Sequence, residues 1–413
     1  MATFTSADFL FPKQELLAKW PVIACDQFTS ERDYWDALER EVGEAPSALR
    51  LIYPEIYLSE DEEKKRQRIA SIEQHMRDAL TSGLLTENRD CFVYIERTLL
   101  DGQIRRGLLG VIDLEAYSYA PDADTKIRAT ERTVPERIPP RVRIRENAPL
   151  ELSHVLLFAD DPEDAILGPL EKGKEALPLC YDLDLMLGGG RLRGYLVSGE
   201  AAALTRARIA AYEEMRAAGK THPVLYLVGD GNHSLATAKT CYEAQKKAGE
   251  GEAQLARSRY AMVELGNVRD DSLQFEPIHR LVKGIDGKAL LARIREGITA
   301  DNGFRVAWQI GEEKGEIFLD PAKGALPVGI LQSFLDSDAE IAPEQMDYIH
   351  GEDSLAALSA QAGNIGFAVP AISKDAFFDA IERDGVLPRK TFSIGHAQEK
   401  RYYLEARAIR CVS

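Results

Sequence analysis

Residues 225–239 read LYLVGDGNHSLATAK, and the organisation of the chain follows from how this stretch is read. The apolar, β-prone run 224–228, between Pro223 and Gly229, predicts a buried strand. Gly229, Asp230, Gly231 and Asn232 predict a tight turn, and residues 233–248 predict a helix that stops at Gly249. Asn232 or Asp230 is expected to cap that helix, and Ala236 and Ala238 let it pack closely. Strand, turn and helix in this order aim free backbone N–H groups and the positive end of the helix dipole at one point, which suits a phosphate or a carboxylate. Asp and Asn also favour turns by themselves, so a purely structural turn competes with this reading. His233 and Ser234 on the first helical turn weigh toward a site. The stretch is neither a P-loop nor a dinucleotide fingerprint, because G-x-x-x-x-G-K-[ST] and G-x-G-x-x-G are both missing from it.

The surrounding 413 residues are 45% hydrophobic and 8% aromatic, enough for a substantial core and for two or three domains. Boundaries are expected to give an N-terminal α/β region over 1–120, a phosphate-binding core over 121–285 and a C-terminal α/β region over 286–413. The formal net charge of -16 argues against a nucleic-acid partner, which requires a strong basic footprint. Five scattered cysteines without a C-x-x-C pair read as reduced thiols. The first residues lack a signal-peptide pattern, and no apolar run is long enough to span a membrane. A cytoplasmic protein is expected, with homo-oligomerisation left open. The alternation of strand and helix patterns predicts an α/β protein of mixed α+β character.

Other stretches carry chemistry. Arg128, Arg132, Arg137, Arg141, Arg143 and Arg145 fall within 18 residues, an unusual density in so acidic a chain. Guanidinium groups grip phosphate oxygens bidentately, so this segment is the best candidate for an anion clamp, with Glu131, Thr130, Thr133 and Asn147 interleaved. A solvated face whose arginines pair with surface acids is the competing reading. Asp26 sits at a second strand-to-helix junction, where a turn or capping role is the simpler explanation. His154 precedes an apolar strand, and His279 and Arg280 lie beside an apolar segment. Arg389 and Lys390 add two cations near the end. No His/Cys cluster suggests zinc.

The turn 229–234 resembles the phosphate-binding turn of the ParB/sulfiredoxin-like superfamily. The whole chain is similar to a large bacterial family of conserved proteins that carries five marks in order. Here they stand as ACDQFTS at 24–30, ATERTVPER at 129–137, DGNHS at 230–234, EPIHRLV at 276–282 and MDYIHG at 346–351. Thr130 stands where the family usually has His, Asn232 replaces the first His of D-G-H-H-R, and Ser234 replaces its Arg. The resemblance implies a ParB/sulfiredoxin-like core embedded in a larger mixed-sheet protein, and a relative of free-serine kinases that make O-phosphoserine from pyrophosphate. On that reading Glu131 is the first choice as proton acceptor and Asp230 the second. Gly231, Asn232, His233 and Ser234 would hold a phosphate, with His233 donating to its oxygens. Arg132, Arg137 and Arg141 would neutralise the donor, Thr133 would help to bind its phosphate, and Asp26, Asn147, His279 and Arg280 would bind the acceptor. Mg²⁺ would accompany the donor, with no dedicated protein metal site. Two other classes would use the same turn: a nucleotide-binding switch without transfer, and a phosphohydrolase with water as acceptor.

Overall fold

The computed structural model describes residues 2–152, 155–388, 390–395 and 397–411. It is a mixed α/β protein, as the alternating patterns predict. Two compact units divide the chain. The first comprises residues 1–129, 133–272 and 396–413; the second comprises 130–132 and 273–395. The expected three-way split differs from this division because the C-terminal segment returns to the first unit, which no local pattern signals.

The first unit is built on an 11-stranded sheet. Leu179–Asp184, Arg191–Val197, Leu85–Thr98, Ile104–Asp113 and Tyr260–Asn267 follow one another antiparallel. Tyr260–Asn267 then pairs parallel with Val155–Ala159, Val155–Ala159 antiparallel with Tyr226–Asp230, and Tyr226–Asp230 parallel with Ile127–Ala129. Alternation along the strands feeds two cores, one per face. Val93, Ile95, Leu109 and Val111 point into one core, while Phe92, Tyr94, Leu108 and Ile112 point into the other. The helices Arg32–Val42 and Glu62–Thr81 cover the first face through Trp35, Leu38, Ile72 and Met76. Gly199–Ala217 and Asn232–Ala248 cover the second through Ile209, Tyr212, Leu235 and Tyr242. A sheet buried on both faces needs near-continuous apolar strands, which explains the run at 224–228.

Short pairings add the C-terminal segment to this unit. Tyr402–Tyr403 pairs with Val22–Ile23, Arg407–Ala408 pairs with Leu150–Glu151, and Ala406 bridges to Leu10.

The second unit is a six-stranded antiparallel sheet. Its order is Glu313–Leu319, Thr299–Ile310, Ile365–Ala368, Phe275–Val282 and Met346–His350, with Phe392–Ile394 on the other end of Phe275–Val282. The helices Gly287–Ile298, Pro327–Ser337, Glu352–Ser359 and Lys374–Asp384 accompany it. The start of Pro327–Ser337 is set by Pro327 in the first turn.

Candidate functional site

The turn after Tyr226–Asp230 is held by two close approaches of backbone to side chain. At Gly229 an added Cβ would lie 2.2 Å from the Phe158 ring. At Gly231, where φ is 90°, it would lie 2.9 Å from Arg401 Nη1. Both glycines are therefore required here, the second also for its left-handed backbone. Gly231 is the helix N-cap and contributes no side-chain bond. Asp230 and Asn232 do not cap as expected, because Asp230 Oδ1 accepts from the Gly231 N–H at 2.9 Å instead. The first helical bond runs from the Leu235 N–H to the Gly231 carbonyl at 3.1 Å. The N–H groups of Asn232, His233 and Ser234 precede it, in the position that binds anions.

Arg401 organises this turn. It is buried, and its Nη2 lies 3.5 Å from Asp230 Oδ2 and 3.5 Å from Asp26 Oδ2. Two of the marks that resemble the family, far apart in sequence, thus meet on one guanidinium. Burial pushes the Asp230 carboxyl up, but Arg401, Lys400 and the Gly231 N–H outweigh it and hold the group below the usual carboxylate range. Beside Asp26, burial and the Asp26 charge push the Cys25 thiol up to about 12, so it stays a neutral thiol, 3.9 Å from the Tyr403 hydroxyl.

His233 Nε2 accepts from the Val134 N–H at 3.2 Å. That bond leaves the ring proton on Nδ1, a donor. Burial first, then the charges of Arg141 and Arg137, push the His233 pKa down to about 4. The neutral donor is the form present at neutral pH.

The arginine-rich segment forms the helix Ile138–Arg145 and its approach. Several of its arginines are committed to acids: Arg141 to Glu55, Arg143 to Glu62 at 2.7 Å, and Arg145 to Glu151. Arg128 donates to the Thr125 carbonyl at 3.2 Å. Arg137 is exposed, and Thr133 keeps a buried hydroxyl without a hydrogen-bond partner among the described residues. Asn147 is exposed in the turn after the helix.

The remaining marks meet in the second unit. His279 and Arg280 lie on Phe275–Val282, opposite Ile349 and Tyr348 of Met346–His350, so EPIHRLV and MDYIHG are neighbouring strands. Arg280 is buried. It donates to Gln332 Oε1 at 2.5 Å and to the Lys390 carbonyl at 3.0 Å, and its guanidinium sits 4.9 Å from the Tyr348 ring centre. Burial lowers its pKa to about 10, while Tyr348, Asp336 and Glu131 favour its charge. Glu131 bridges to Leu387, and Arg132 beside it is exposed. Burial lowers the His279 pKa, and His279 Nδ1 has no hydrogen-bond partner among the described residues.

The candidates therefore fall into two groups. Asp26, Thr133, Arg137, Arg141, Asn147 and residues 230–234 belong to the first unit; Glu131, Arg132, His279 and Arg280 belong to the second. Sequence reasoning missed Arg401, Glu55 and Gln332. His154 and Arg389 lie outside the described residues. No helix among the described residues is long and apolar enough to cross a membrane, and no group of three or more His, Cys, Asp or Glu could hold a metal ion.

A family profile described as "Protein of unknown function (DUF1015)" matches residues 7–406. The chain belongs to the DUF1015 family. No curated protein matches the sequence. Among solved structures, this DUF1015 chain is similar to a free serine kinase mutant in complex with ADP. That match has 13% identity and a TM-score of 0.38, and covers 72% of this chain and 91% of the other. SbnI with a C-terminal truncation, from Staphylococcus aureus, is 12% identical at a TM-score of 0.36, over 73% of this chain and 87% of that one. A conserved hypothetical protein from Pyrococcus furiosus is 13% identical at 0.34, over 70% and 90%. All three TM-scores are low.

Proposed function

We propose that this protein is a phosphotransferase that phosphorylates free L-serine to O-phosphoserine with pyrophosphate as donor. The observation that carries the reading is the meeting of Asp26 and Asp230 on the buried Arg401, at a helix entrance where three backbone N–H groups precede the first helical bond. The likeness of the five sequence marks to a family related to serine kinases, and of the turn to ParB/sulfiredoxin-like phosphate-binding turns, supports it. Phosphoryl transfer asks mainly for positioning and charge neutralisation. The serine hydroxyl oxygen bonds to a phosphorus of pyrophosphate, the bridging P–O bond breaks, and inorganic phosphate leaves. The hydroxyl proton passes to a carboxylate. Glu131 is the proposed acceptor of that proton. Asp230, held below the usual carboxylate range, is the poorer base and suits positioning better. Residues 232–234 hold the donor, Gly231 being left out because its N–H is spent on Asp230 Oδ1, with His233 Nδ1–H directed at the donor's oxygens and Arg132, Arg137 and Arg141 balancing its charge. Asp26, Asn147, His279 and Arg280 are the proposed acceptor contacts.

Mg²⁺ is held in such reactions by one or two carboxylates together with the donor's phosphates. Asp26 and Asp230 already face the Arg401 guanidinium, so the ion would be carried chiefly by the donor's phosphates and would neutralise their charge. A cytoplasmic setting belongs to the same reading, supported by five free cysteines.

The test is incubation of the purified protein with Mg²⁺, L-serine and pyrophosphate, ADP or ATP, with phosphoserine detected by mass spectrometry. Product with pyrophosphate is expected. Nucleotide-induced stabilisation without product would replace the kinase with a nucleotide-binding switch, and phosphate release independent of serine would make it a phosphohydrolase. Glu131→Gln should abolish transfer with circular dichroism unchanged; a near-normal rate would remove Glu131 from the proton-acceptor role.

A further inference from the structure

A cavity of about 90 Å³ lies behind the first turn of the helix Asn232–Ala248, within the first unit. Its polar wall carries Glu55, Arg141 and Ser234, and its apolar wall includes Leu235, Ala238 and Met262. One water occupies roughly 10–15 Å³ of such volume, so the space suits a ligand of about six to nine heavy atoms, smaller than a nucleoside. Serine and threonine fall in that range.

The polar wall has chemistry to spare. Glu55 and Arg141 form an ion pair with side chains only 16% and 14% exposed. Among the described residues the Glu55 carboxylate accepts only from Arg141. Arg141 uses one nitrogen on Glu55 and one on the Arg137 carbonyl at 2.6 Å, which leaves further N–H donors on its fork. The second ion pair in the lining is saturated by comparison. Glu151 accepts from Arg145, from Arg407 Nε at 2.6 Å and from the Met262 N–H at 3.1 Å. Burial, offset by Arg141 and reinforced by Asp26, leaves the Glu55 carboxyl above its usual range, so an added cation would stabilise its charged form. The Glu55 N–H also donates to the Cys25 carbonyl at 2.8 Å, which ties this wall to the segment carrying Asp26.

We propose that this cavity, in place of the contacts at Asp26, Asn147, His279 and Arg280, is the acceptor pocket, that it takes a free α-amino acid of serine or threonine size, its carboxylate on Arg141 and its ammonium on Glu55, and that Arg141 thereby serves the acceptor while Arg132 and Arg137 are left to the donor. A zwitterion inserted there exchanges one ion pair for two, and the apolar wall covers its carbon atoms. The assignment rests on the phosphotransferase reading and names where its acceptor binds.

The test is calorimetric titration of the full chain with L-serine, L-threonine and, separately, Mg²⁺-pyrophosphate. Ala238→Leu fills the cavity, and Glu55→Gln keeps its volume while removing the charge. Each should weaken amino-acid binding by about tenfold or more and leave pyrophosphate affinity within about twofold. Equal L-serine affinity in wild type and both variants would overturn the pocket while leaving the kinase reading standing. A wild-type protein that binds pyrophosphate and neither amino acid would overturn both the pocket and the serine acceptor, and leave the donor site in place. Should Ala238→Leu fail to fold, Glu55→Gln decides the question alone.

Discussion

Arg401 sits buried against two carboxylates, and its removal should be felt in stability before function. Arg401→Met strands Asp26 and Asp230 with their counter-charge gone, a change that typically costs about 3–5 kcal/mol. Urea unfolding should show that loss, with partial recovery in Arg401→Lys; a midpoint unchanged in Arg401→Met would refute the role. His233 gives a second prediction. Its pKa lies at about 4 in the fold against 6.5 for the free ring. The unfolded chain therefore takes up a proton first as pH falls. The contribution of His233 to stability is complete above pH 6.5, is lost between 6.5 and about 4, and its absence is fully felt below. Unfolding midpoints for wild type and His233→Gln should diverge less at about pH 4.5 than at about pH 7. A constant difference would exclude His233 as a source of the slope. These residues were unevenly legible in the sequence. Asp230, Gly231 and His233 announce themselves by their order at a strand end. Arg401 follows the whole second unit and lies in a stretch of no clear period, so only tertiary pairing brings it to the turn. Glu55 lies in a short 3-10 segment with no signature of its own.

At the level of elements, the strand, turn and helix around Asp230 were readable because each follows a different local rule: an apolar run, two glycines, then helix formers up to Gly249. The cap was not readable, since Asp230 and Asn232 are both good N-cap residues, whereas Gly231 takes the N-cap position and Asp230 Oδ1 accepts from the Gly231 N–H. His279 and Arg280 gave an apolar setting but not a partner, because the pairing with Met346–His350 spans more than sixty residues. The two ends of the helix Asn232–Ala248 allow a paired measurement. Gly231 and Gly249 both have left-handed backbone, with φ of 90° and 70°. A Cβ at Gly249 meets nothing within 4 Å, whereas at Gly231 it meets Arg401. Gly249→Ala should cost about 1 kcal/mol from backbone strain alone, and Gly231→Ala clearly more, in the range of 1–3 kcal/mol or above. Equal losses by chemical denaturation would show that the contact with Arg401 does not constrain the turn.

Across the whole molecule, the first unit is assembled from three pieces of chain and the second from two. Composition shifts mark neither boundary, which is why the expected segments at 120 and 285 follow local texture rather than the compact units. The last piece contributes Tyr402, Tyr403, Ala406 and Arg407 to pairings with residues near the start and middle of the chain. A chain ending at residue 395 should therefore lose cooperative unfolding of the first unit, as read by near-ultraviolet circular dichroism and thermal melting; a sharp transition near that of the full chain would contradict this. The same arrangement sets an order of events at the ribosome. Asp26 emerges early, the anion turn emerges midway, and the guanidinium that joins them emerges only after the second unit has been made. Domains fold largely in the order in which they are synthesised. The second unit can thus close while the first still waits for its final strands. A polypeptide released before residue 401 carries every residue of the turn and lacks the cation that shapes it, so synthesis past Arg401 becomes a checkpoint on whether the anion site exists at all.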